Sequence, residues 1–213
     1  MGLVLELIRT RTQNLHTRIE AHVDLPSRLA SRGEYTQLLS RYLGLYRPFE
    51  SYLQQQQSPT LHDAIGWPES QRVPRLEADL RALGLSQQAI TDLPDAPQSL
   101  LPDAADSIWG ALYVLEGSNL GGQLIYRQIQ LTLGLDQHAG AAFFYGDGPR
   151  TGPHWKHFLT ALEQQVEHPH RAADAACLMF QNFESWLTRH PIPDTIPNRS
   201  QGSDFQRIPL ERP

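Results

Sequence analysis

The sequence predicts an all-α fold, and three observations favour it. Apolar residues recur at intervals of three and four along most of the 213 residues, as they do on the buried face of an amphipathic helix. Strict alternation of apolar and polar residues, the pattern of a half-buried strand, is almost absent. Short stretches that contain proline and glycine separate the apolar segments and indicate turns. We therefore expect a single helical-bundle domain over residues 1–190.

The predicted helices follow one another along the chain. Residues 3–22 carry apolar side chains at helical spacing and predict the first helix. Residues 33–57 have a broad apolar face, and Pro48 is expected to kink or divide this second helix. Further helices are predicted at about 72–83, 86–93, 103–133, 154–167 and 170–190. Loops are predicted at 58–70, 94–102 and 134–153. Residues 191–213 hold five prolines and are expected to form an extended or mobile tail.

Composition and charge narrow the classes of function. The formal net charge of −5 gives no reason to expect nucleic acid as a partner, because phosphate binding requires a basic surface. Cys177 is the only cysteine, so an internal disulfide is impossible and a reducing cytoplasm fits best. The first residues lack the apolar core of a signal peptide, and no apolar stretch approaches about 18 residues, so no membrane contact is expected.

The first predicted helix places three polar side chains near one stripe. Arg9 precedes His16 by two turns, roughly 10 Å along the axis, and Glu20 follows His16 by one turn. A neutral imidazole can bind a metal through one nitrogen while its other N–H donates to a carboxylate such as Glu20. Arg9 could then meet a carboxylate on the rim of a broad ligand. Alternatively, His16 is a hydrogen-bonded surface residue, and Glu20 pairs with Arg9 or Arg18.

Glycines interrupt an otherwise apolar helix at residues 109–125. Each interior glycine destabilises a helix by about 1 kcal/mol relative to alanine, so their concentration suggests a purpose. Gly117 and Gly121 share a face and Gly122 adjoins it, which would let a flat ligand approach the backbone. Two alternatives remain open: close packing of a neighbouring helix, and a break between two helices. A phosphate loop is excluded, because the GxxxxGK[ST] pattern and a preceding strand are both missing.

Four segments together resemble the heme oxygenase family. They are HTRIE at 16–20, LYVLEGSNLGGQ at 112–123, TGPHWKHFLTAL at 151–162, and the FxxFExW pattern of residues 180–186. The resemblance covers residues 5–186 and omits the tail. The GGQ ending and the FFYGDG loop make the chain most similar to the branch associated with bacterial phytochromes.

The resemblance implies a fold and a set of site residues. Heme would lie between the first helix and the glycine helix, with His16 as the axial iron ligand and Glu20 holding its outer nitrogen. The residues over the other, distal face would be Gly117, Ser118, Asn119, Gly121 and Gly122. Arg9 and Lys156 match positions of bases near the heme propionates, and Phe183 matches an apolar pocket position.

One position departs from the family pattern. Many members carry an aspartate directly after the first distal glycine, where it organises water near bound oxygen, and this chain has Ser118 there. Bacterial relatives commonly share the serine, so activity is still expected. Candidates for the water-holding group are Glu116, Ser118, Asn119 and Gln123, in no order of preference.

The resemblance implies oxidative cleavage of heme to biliverdin, carbon monoxide and ferrous iron with dioxygen. Electrons would come from a separate ferredoxin or flavin reductase, because the chain has no flavin or nicotinamide fingerprint. A bacterial phytochrome is a possible recipient of the product. Two alternatives stay open at this point. The chain could bind or carry heme or a bilin without catalysis, which Ser118 would favour. It could also be another helical-bundle enzyme, although Cys177 is better interpreted as a buried apolar residue than as a nucleophile.

Overall fold

The structure is a computed structural model that describes residues 2–23, 25–98 and 101–188, without the side chains of residues 20, 21, 25 and 26. The helices are α1 (Leu3–Val23), α2 (Leu25–Arg28), α3 (Arg32–Gln55), α4 (Pro59–Ala64), α5 (Val73–Ala82), α6 (Gln87–Thr91), α7 (Ala105–Leu133), α8 (Ala142–Tyr145), α9 (Thr151–Gln165) and α10 (Pro169–Thr188). No strand occurs among the described residues, so the all-α prediction is confirmed. No described helix is long and apolar enough to cross a membrane.

The longest helices, α3 and α7, begin and end at residues that suit helix termini. Ser31 caps α3, because its hydroxyl accepts a hydrogen bond from the backbone N–H of Glu34 at 3.2 Å. The chain continues through Pro48 in helical conformation, so of the two predicted outcomes, a kink or a division, the division does not occur. Gly134 follows α7 in the left-handed region, at φ 64°, where glycine avoids the steric penalty of a side chain.

Helix α10 connects the two helices that carry the predicted site. It packs along α1 on one side and along α7 on the other, whereas α1 and α7 make little contact with each other. The approach to α7 is closest at Gly110, where an added Cβ would lie 2.0 Å from the carbonyl oxygen of Ala172. Gly110 is therefore a helix-packing glycine. We call the region between α1 and α7 the slot, and its floor is α10, along which both helices pack.

The core centres on α3, which is buried along most of its length. Its Tyr42 ring lies against three aromatic residues from other elements: Phe143, Phe144 and Phe183, at centroid distances of 4.8, 5.6 and 5.7 Å. Such edge and tilted contacts add packing energy beyond the area that they bury. The aromatic cluster fixes α8 and α10 relative to α3.

The predicted loops are more ordered than the sequence suggested. The segment 58–70 contains α4, and the segment 134–153 contains α8 and a 3₁₀ turn at Gly148–Arg150. Both helices are only a turn or two long, which is too short for periodicity to reveal. The predicted tail, residues 191–213, lies outside the described residues.

Candidate active site

The proximal side of the candidate site is α1, which carries the predicted iron ligand. His16 is exposed, and its ring meets the ring of Phe180 on α10 edge to face at a centroid distance of 5.9 Å. Arg9, two turns earlier, is also exposed. The predicted partner of His16, the side chain of Glu20, lies outside the described residues. His16 thus stands at the edge of the slot, over the aromatic floor that α10 provides.

Two ion pairs anchor α1 to α10 on either side of His16. Toward the N-terminus, Arg11 pairs with Asp174. Toward the C-terminus, Arg18 Nε donates to Glu184 Oε2 at 2.9 Å, and His22 pairs with the same carboxylate. The hydrogen bonds from Arg18 hold the pKa of Glu184 below its ordinary value. The helix segment that carries His16 is therefore bracketed by contacts to the floor of the slot.

The distal side is α7, and its three site glycines have different surroundings. An added Cβ at Gly117 would lie 3.4 Å from the Trp155 ring, and one at Gly122 would lie 3.3 Å from the Phe144 carbonyl oxygen. At Gly121 no described atom lies within 4 Å of an added Cβ, and the residue is exposed. Gly121 is therefore the position of this group at which a flat ligand has the most room to reach the backbone.

A small cavity of about 20 Å³ adjoins the distal helix, enough for one water molecule. It lies between α3, α7 and α8, with Tyr42, Phe143 and Phe144 forming an aromatic wall. Ser118 and Asn119 of α7 supply its polar lining. An apolar wall with two polar groups suits a small ligand such as dioxygen and an ordered water beside it.

The polar side chains of the distal helix α7 form hydrogen bonds within the protein. The Ser118 hydroxyl donates to the carbonyl of Leu115 at 2.7 Å, and the Asn119 amide donates to Glu116 Oε2 at 3.4 Å. The Gln123 amide donates to the carbonyl of Tyr145 at 2.7 Å and joins α7 to α8. Of the four candidates for holding distal water, Ser118 and Asn119 line the cavity, whereas Glu116 lies behind it.

Behind α7 lies a buried polar cluster, which we call the distal polar cluster. Its members come from α3, α7, α9 and the connections between helices, and are Tyr46, Glu50, Arg72, Glu116, Asp147 and His154. At its centre, the Arg72 guanidinium donates to Glu116 Oε2 at 2.6 Å, and both side chains are at least 92% buried. Glu50 accepts from the backbone N–H of Arg72 at 2.5 Å. These charges are removed from solvent only because they are paired.

The other end of the distal polar cluster approaches the surface. Asp147 accepts from Arg75 at 2.8 Å and from His154 Nδ1 at 2.7 Å. The hydrogen bond with His154 holds the pKa of Asp147 well below its usual range, and the same bond raises the pKa of His154. His154 and the neighbouring His157 bind different carboxylates, since His157 pairs with Asp63 at 2.9 Å.

A buried carboxylate also fixes α8, which supplies the aromatic wall of the cavity. The two oxygens of Asp79 on α5 accept from the backbone N–H groups of Ala142 and Phe143, each at 2.8 Å. Burial raises the pKa of Asp79 to about 6. Asp79 thus satisfies the first N–H groups of α8 and sets the position of Phe143 and Phe144.

The predicted site residues fall on the expected elements. Arg9, His16 and Glu20 are on α1, the distal residues 117–122 are on α7, and Lys156 is exposed on α9. Phe183 of α10 is buried against Tyr42. The sequence reasoning did not identify Tyr42, Phe143, Phe144, Phe180 or Trp155 as site residues. The FF pair within the FFYGDG loop was the available signal for two of them.

Comparisons with known proteins identify the family. A model of the family described as heme oxygenase matches residues 3–189. A heme oxygenase from Xanthomonas campestris pv. campestris (strain 8004) is 34% identical over 164 residues, which are 75% of this chain and 92% of that protein. The fold of the described residues defines an all-α protein. The family model and the related sequence show that the chain belongs to the heme oxygenase family.

Solved structures share the fold. The heme oxygenase from Leptospira interrogans superposes with a TM-score of 0.72 at 17% identity, covering 88% of this chain and 99% of that one. The NO- and CO-bound heme oxygenase from Neisseria meningitidis gives 0.69 at 20% identity, covering 92% and 98%. Family membership makes the chain an enzyme of the heme oxygenase class, and the alternative of a non-catalytic carrier is not favoured. It also implies heme binding and the use of dioxygen.

The described residues fit heme as the bound substrate. Helices α1 and α7 flank the slot, since both pack along α10 and make little contact with each other. One wall offers the His16 imidazole and the other an open backbone at Gly121. Phe180 and Phe183 of α10 are buried, and the Phe180 ring meets the His16 imidazole edge to face, so aromatic side chains lie beside the predicted iron ligand.

Proposed function

We propose that this chain cleaves heme to biliverdin, carbon monoxide and ferrous iron, with His16 as the axial ligand. The observation that carries the proposal is the placement of His16 on α1 and of the site glycines on α7, two helices that both pack along α10. An imidazole stands on one wall, and on the other α7 presents an open glycine backbone and a small cavity with two polar groups. Bound heme supplies the iron that binds dioxygen and the porphyrin edge that is oxidised.

The residues of the chain orient the substrate. His16 would hold the iron through one ring nitrogen, and the N–H of its other nitrogen would donate a hydrogen bond to Glu20. Arg9 on α1 and Lys156 on α9 are exposed long cations that bind the two propionates and fix the rotation of the porphyrin in its plane.

On the distal side, the backbone of residues 117–122 restricts how bound oxygen can lie. Gly117 and Gly121 would let α7 approach the porphyrin, and the close backbone would restrict the orientation of bound oxygen. Ser118 and Asn119 line the neighbouring cavity and hold a water molecule there. That water supplies protons near the oxygen and takes the place of the aspartate-organised water of other members.

Electrons come from a separate protein, either a ferredoxin or a flavin reductase. The GGQ ending of the glycine motif and the FFYGDG loop support membership of the branch associated with bacterial phytochromes, whose photoreceptor would receive the product. The single cysteine supports work in a reducing cytoplasm.

The proposal is tested by titrating the protein with hemin, then adding a reductant in air. We expect saturable one-to-one binding, followed by loss of the heme absorbance band and release of a bilin that chromatography identifies as biliverdin. Omission of the reductant, or replacement of air by nitrogen, serves as the control and should leave the heme intact. Stable bound heme in the complete reaction would contradict catalysis.

A further inference from the structure

Two residues of the FExW pattern on α10, Glu184 and Trp186, have no part in the proposed function. Trp186 attaches α10 to α3, because its Nε1 donates to the carbonyl of Arg41 at 2.8 Å and Arg41 Nη1 donates to the carbonyl of Trp186 at 3.1 Å. Both side chains are buried. Phe183 packs against Tyr42, which is also on α3. The segment of α10 that carries Glu184 is therefore fixed to the core.

Glu184 binds two successive turns near the C-terminal end of α1. Arg18 donates to Glu184 Oε2 through both Nε, at 2.9 Å, and Nη2, at 2.5 Å, and His22 Nδ1 pairs with Glu184 Oε1. The Glu184 side chain is only 12% exposed, because it lies between the two helices. Surface ion pairs hold a geometry best when an arginine donates through two nitrogens or when several groups share one network, and both conditions are met here.

Arg18 and His22 lie on one side of α1, and His16 lies on the other. Residues four apart share a face of a helix, whereas residues two apart are separated by about 200° around its axis. Helix α10 contacts both sides, because Phe180 meets the His16 ring at a centroid distance of 5.9 Å and Glu184 binds Arg18. Rotation of α1 about its own axis would therefore break the contact with Glu184 and move His16 at the same time.

A small rotation of α1 is enough to disturb an iron ligand. The end of a side chain lies about 5–6 Å from the helix axis, so a rotation of about 10° moves it by about 1 Å. Groups at a working site must be held within about 0.5 Å. The contact of Glu184 with Arg18 acts two residues from His16. The other ion pair between α1 and α10 acts five residues from His16, at Arg11, and its Asp174 side chain is 71% exposed.

We propose that Glu184 is a positioning residue, which fixes the rotation of α1 and thereby the direction from which His16 meets the iron. This inference rests on the proposed function, in which His16 is the axial ligand. Glu184 acts through Arg18 and does not bind the iron itself. Its removal should leave the fold intact, because Trp186 and Phe183 still hold α10 on α3.

The first test compares Glu184→Gln with Glu77→Gln. Glu77 is the control, because the same change there removes the carboxylate of an ion pair within α5, with Arg81 at 2.9 Å. In the ferrous heme complex, Glu184→Gln should shift the iron–histidine stretching band of the resonance Raman spectrum. Heme should dissociate about three- to tenfold faster, below the 10- to 100-fold effect of direct partners of a metal ligand. Glu77→Gln should match the wild type in both measurements.

Hydrogen exchange in substrate-free protein gives a second test. The backbone amides of residues 18–23 should exchange about two- to fivefold faster in Glu184→Gln, and those of α7 should not change. Arg18→Met removes most of the same contact from its exposed side and should reproduce both the band shift and the faster exchange. The double variant should be no worse than Glu184→Gln alone, because the two substitutions remove one shared contact.

An unchanged iron–histidine band and dissociation rate in Glu184→Gln would overturn the proposal, as would equal changes in Glu77→Gln. If Glu184→Gln does not fold, the same comparison with Arg18→Met decides the question. An iron–histidine band that persists in His16→Ala contradicts the proposed function instead.

Discussion

The proximal helix α1 and the distal helix α7 differ in how their site residues are held. His16 stands on an exposed part of α1, and the ion pairs that flank it lie at the surface. On α7, the residues next to the glycines are tied to buried partners: Glu116 to Arg72, and Gln123 to the carbonyl of Tyr145. The side chains next to the distal glycines are therefore held by buried contacts within the protein, whereas the segment around His16 is held by contacts at the surface.

Because of this difference, substitutions on the two helices should separate effects on function from effects on stability. An exposed residue contributes little to folding, so its substitution typically changes stability by no more than about 1 kcal/mol. A buried charge in an ion pair compensates the charge of its partner, so its removal leaves the partner buried and unpaired and destabilises the fold. Proximal substitutions should therefore affect the reaction with little change in stability, and distal substitutions should affect both.

The largest effect is expected for His16→Ala. Loss of the axial ligand should lower turnover by more than about a hundredfold, since even partners of metal ligands are worth 10- to 100-fold. The unfolding midpoint in urea should stay the same, because the side chain is exposed. His170→Ala, an exposed histidine on α10, is the matched control and should retain full turnover. Normal heme spectra and turnover in His16→Ala would refute the ligand assignment.

Substituting one arginine on each side compares the ion pairs of the distal and proximal helices. Arg72→Met should destabilise the protein by about 3–5 kcal/mol, because Glu116 would be left buried and charged. Arg18→Met should change stability by less than about 1 kcal/mol, because the Arg18 side chain is 46% exposed.

The double variant Arg72→Met/Glu116→Leu tests whether the loss in Arg72→Met comes from the unpaired Glu116 carboxylate. Removing both charges should recover most of the stability lost in Arg72→Met, which urea unfolding would measure. Equal losses in the Arg72→Met and Arg18→Met variants would show that the distal pair is not buried in solution.

The sequence predicted the positions of the longer helices, but it did not predict which helices contact each other. Periodicity shows which face of a helix is buried but not which helix covers it. The motifs on α1 and α7 therefore pointed to His16 and the glycines, which are local features. The Arg72–Glu116 pair joins residues 44 apart, and Asp79 caps α8 from 63 residues away. No local pattern marks such partners, and the distal polar cluster could only be recognised in three dimensions.

We expect the stability of the protein to depend on pH through Asp79, whose carboxylate positions α8. Burial raises its pKa to about 6, so the folded state favours the protonated acid more than the unfolded chain does. This contribution to stability is fully present below about pH 4 and is lost as the pH rises through 6. Relative to Asp79→Asn, the wild type should lose up to about 3 kcal/mol between pH 4 and 7.5.

Urea unfolding of both proteins across that range measures the difference. Asp147→Asn is an informative companion, because the hydrogen bond with His154 lowers the pKa of Asp147. Its stabilising contribution is present above about pH 4 and is lost on acidification, so the sign of the pH dependence should be opposite. A pH-independent difference between wild type and Asp79→Asn would show that Asp79 is hydrated.

The smallest effects are expected for alanine substitutions at two glycines of α7. An added Cβ at Gly121 meets no described atom within 4 Å, so Gly121→Ala should stabilise substrate-free protein by up to about 1 kcal/mol through helix propensity. Gly110→Ala should destabilise it by about 1–3 kcal/mol, because the methyl group would collide with the Ala172 carbonyl. If Gly121 faces heme, the same methyl group should also weaken hemin binding severalfold. A more stable Gly121→Ala protein with unchanged hemin affinity would place heme elsewhere along α7.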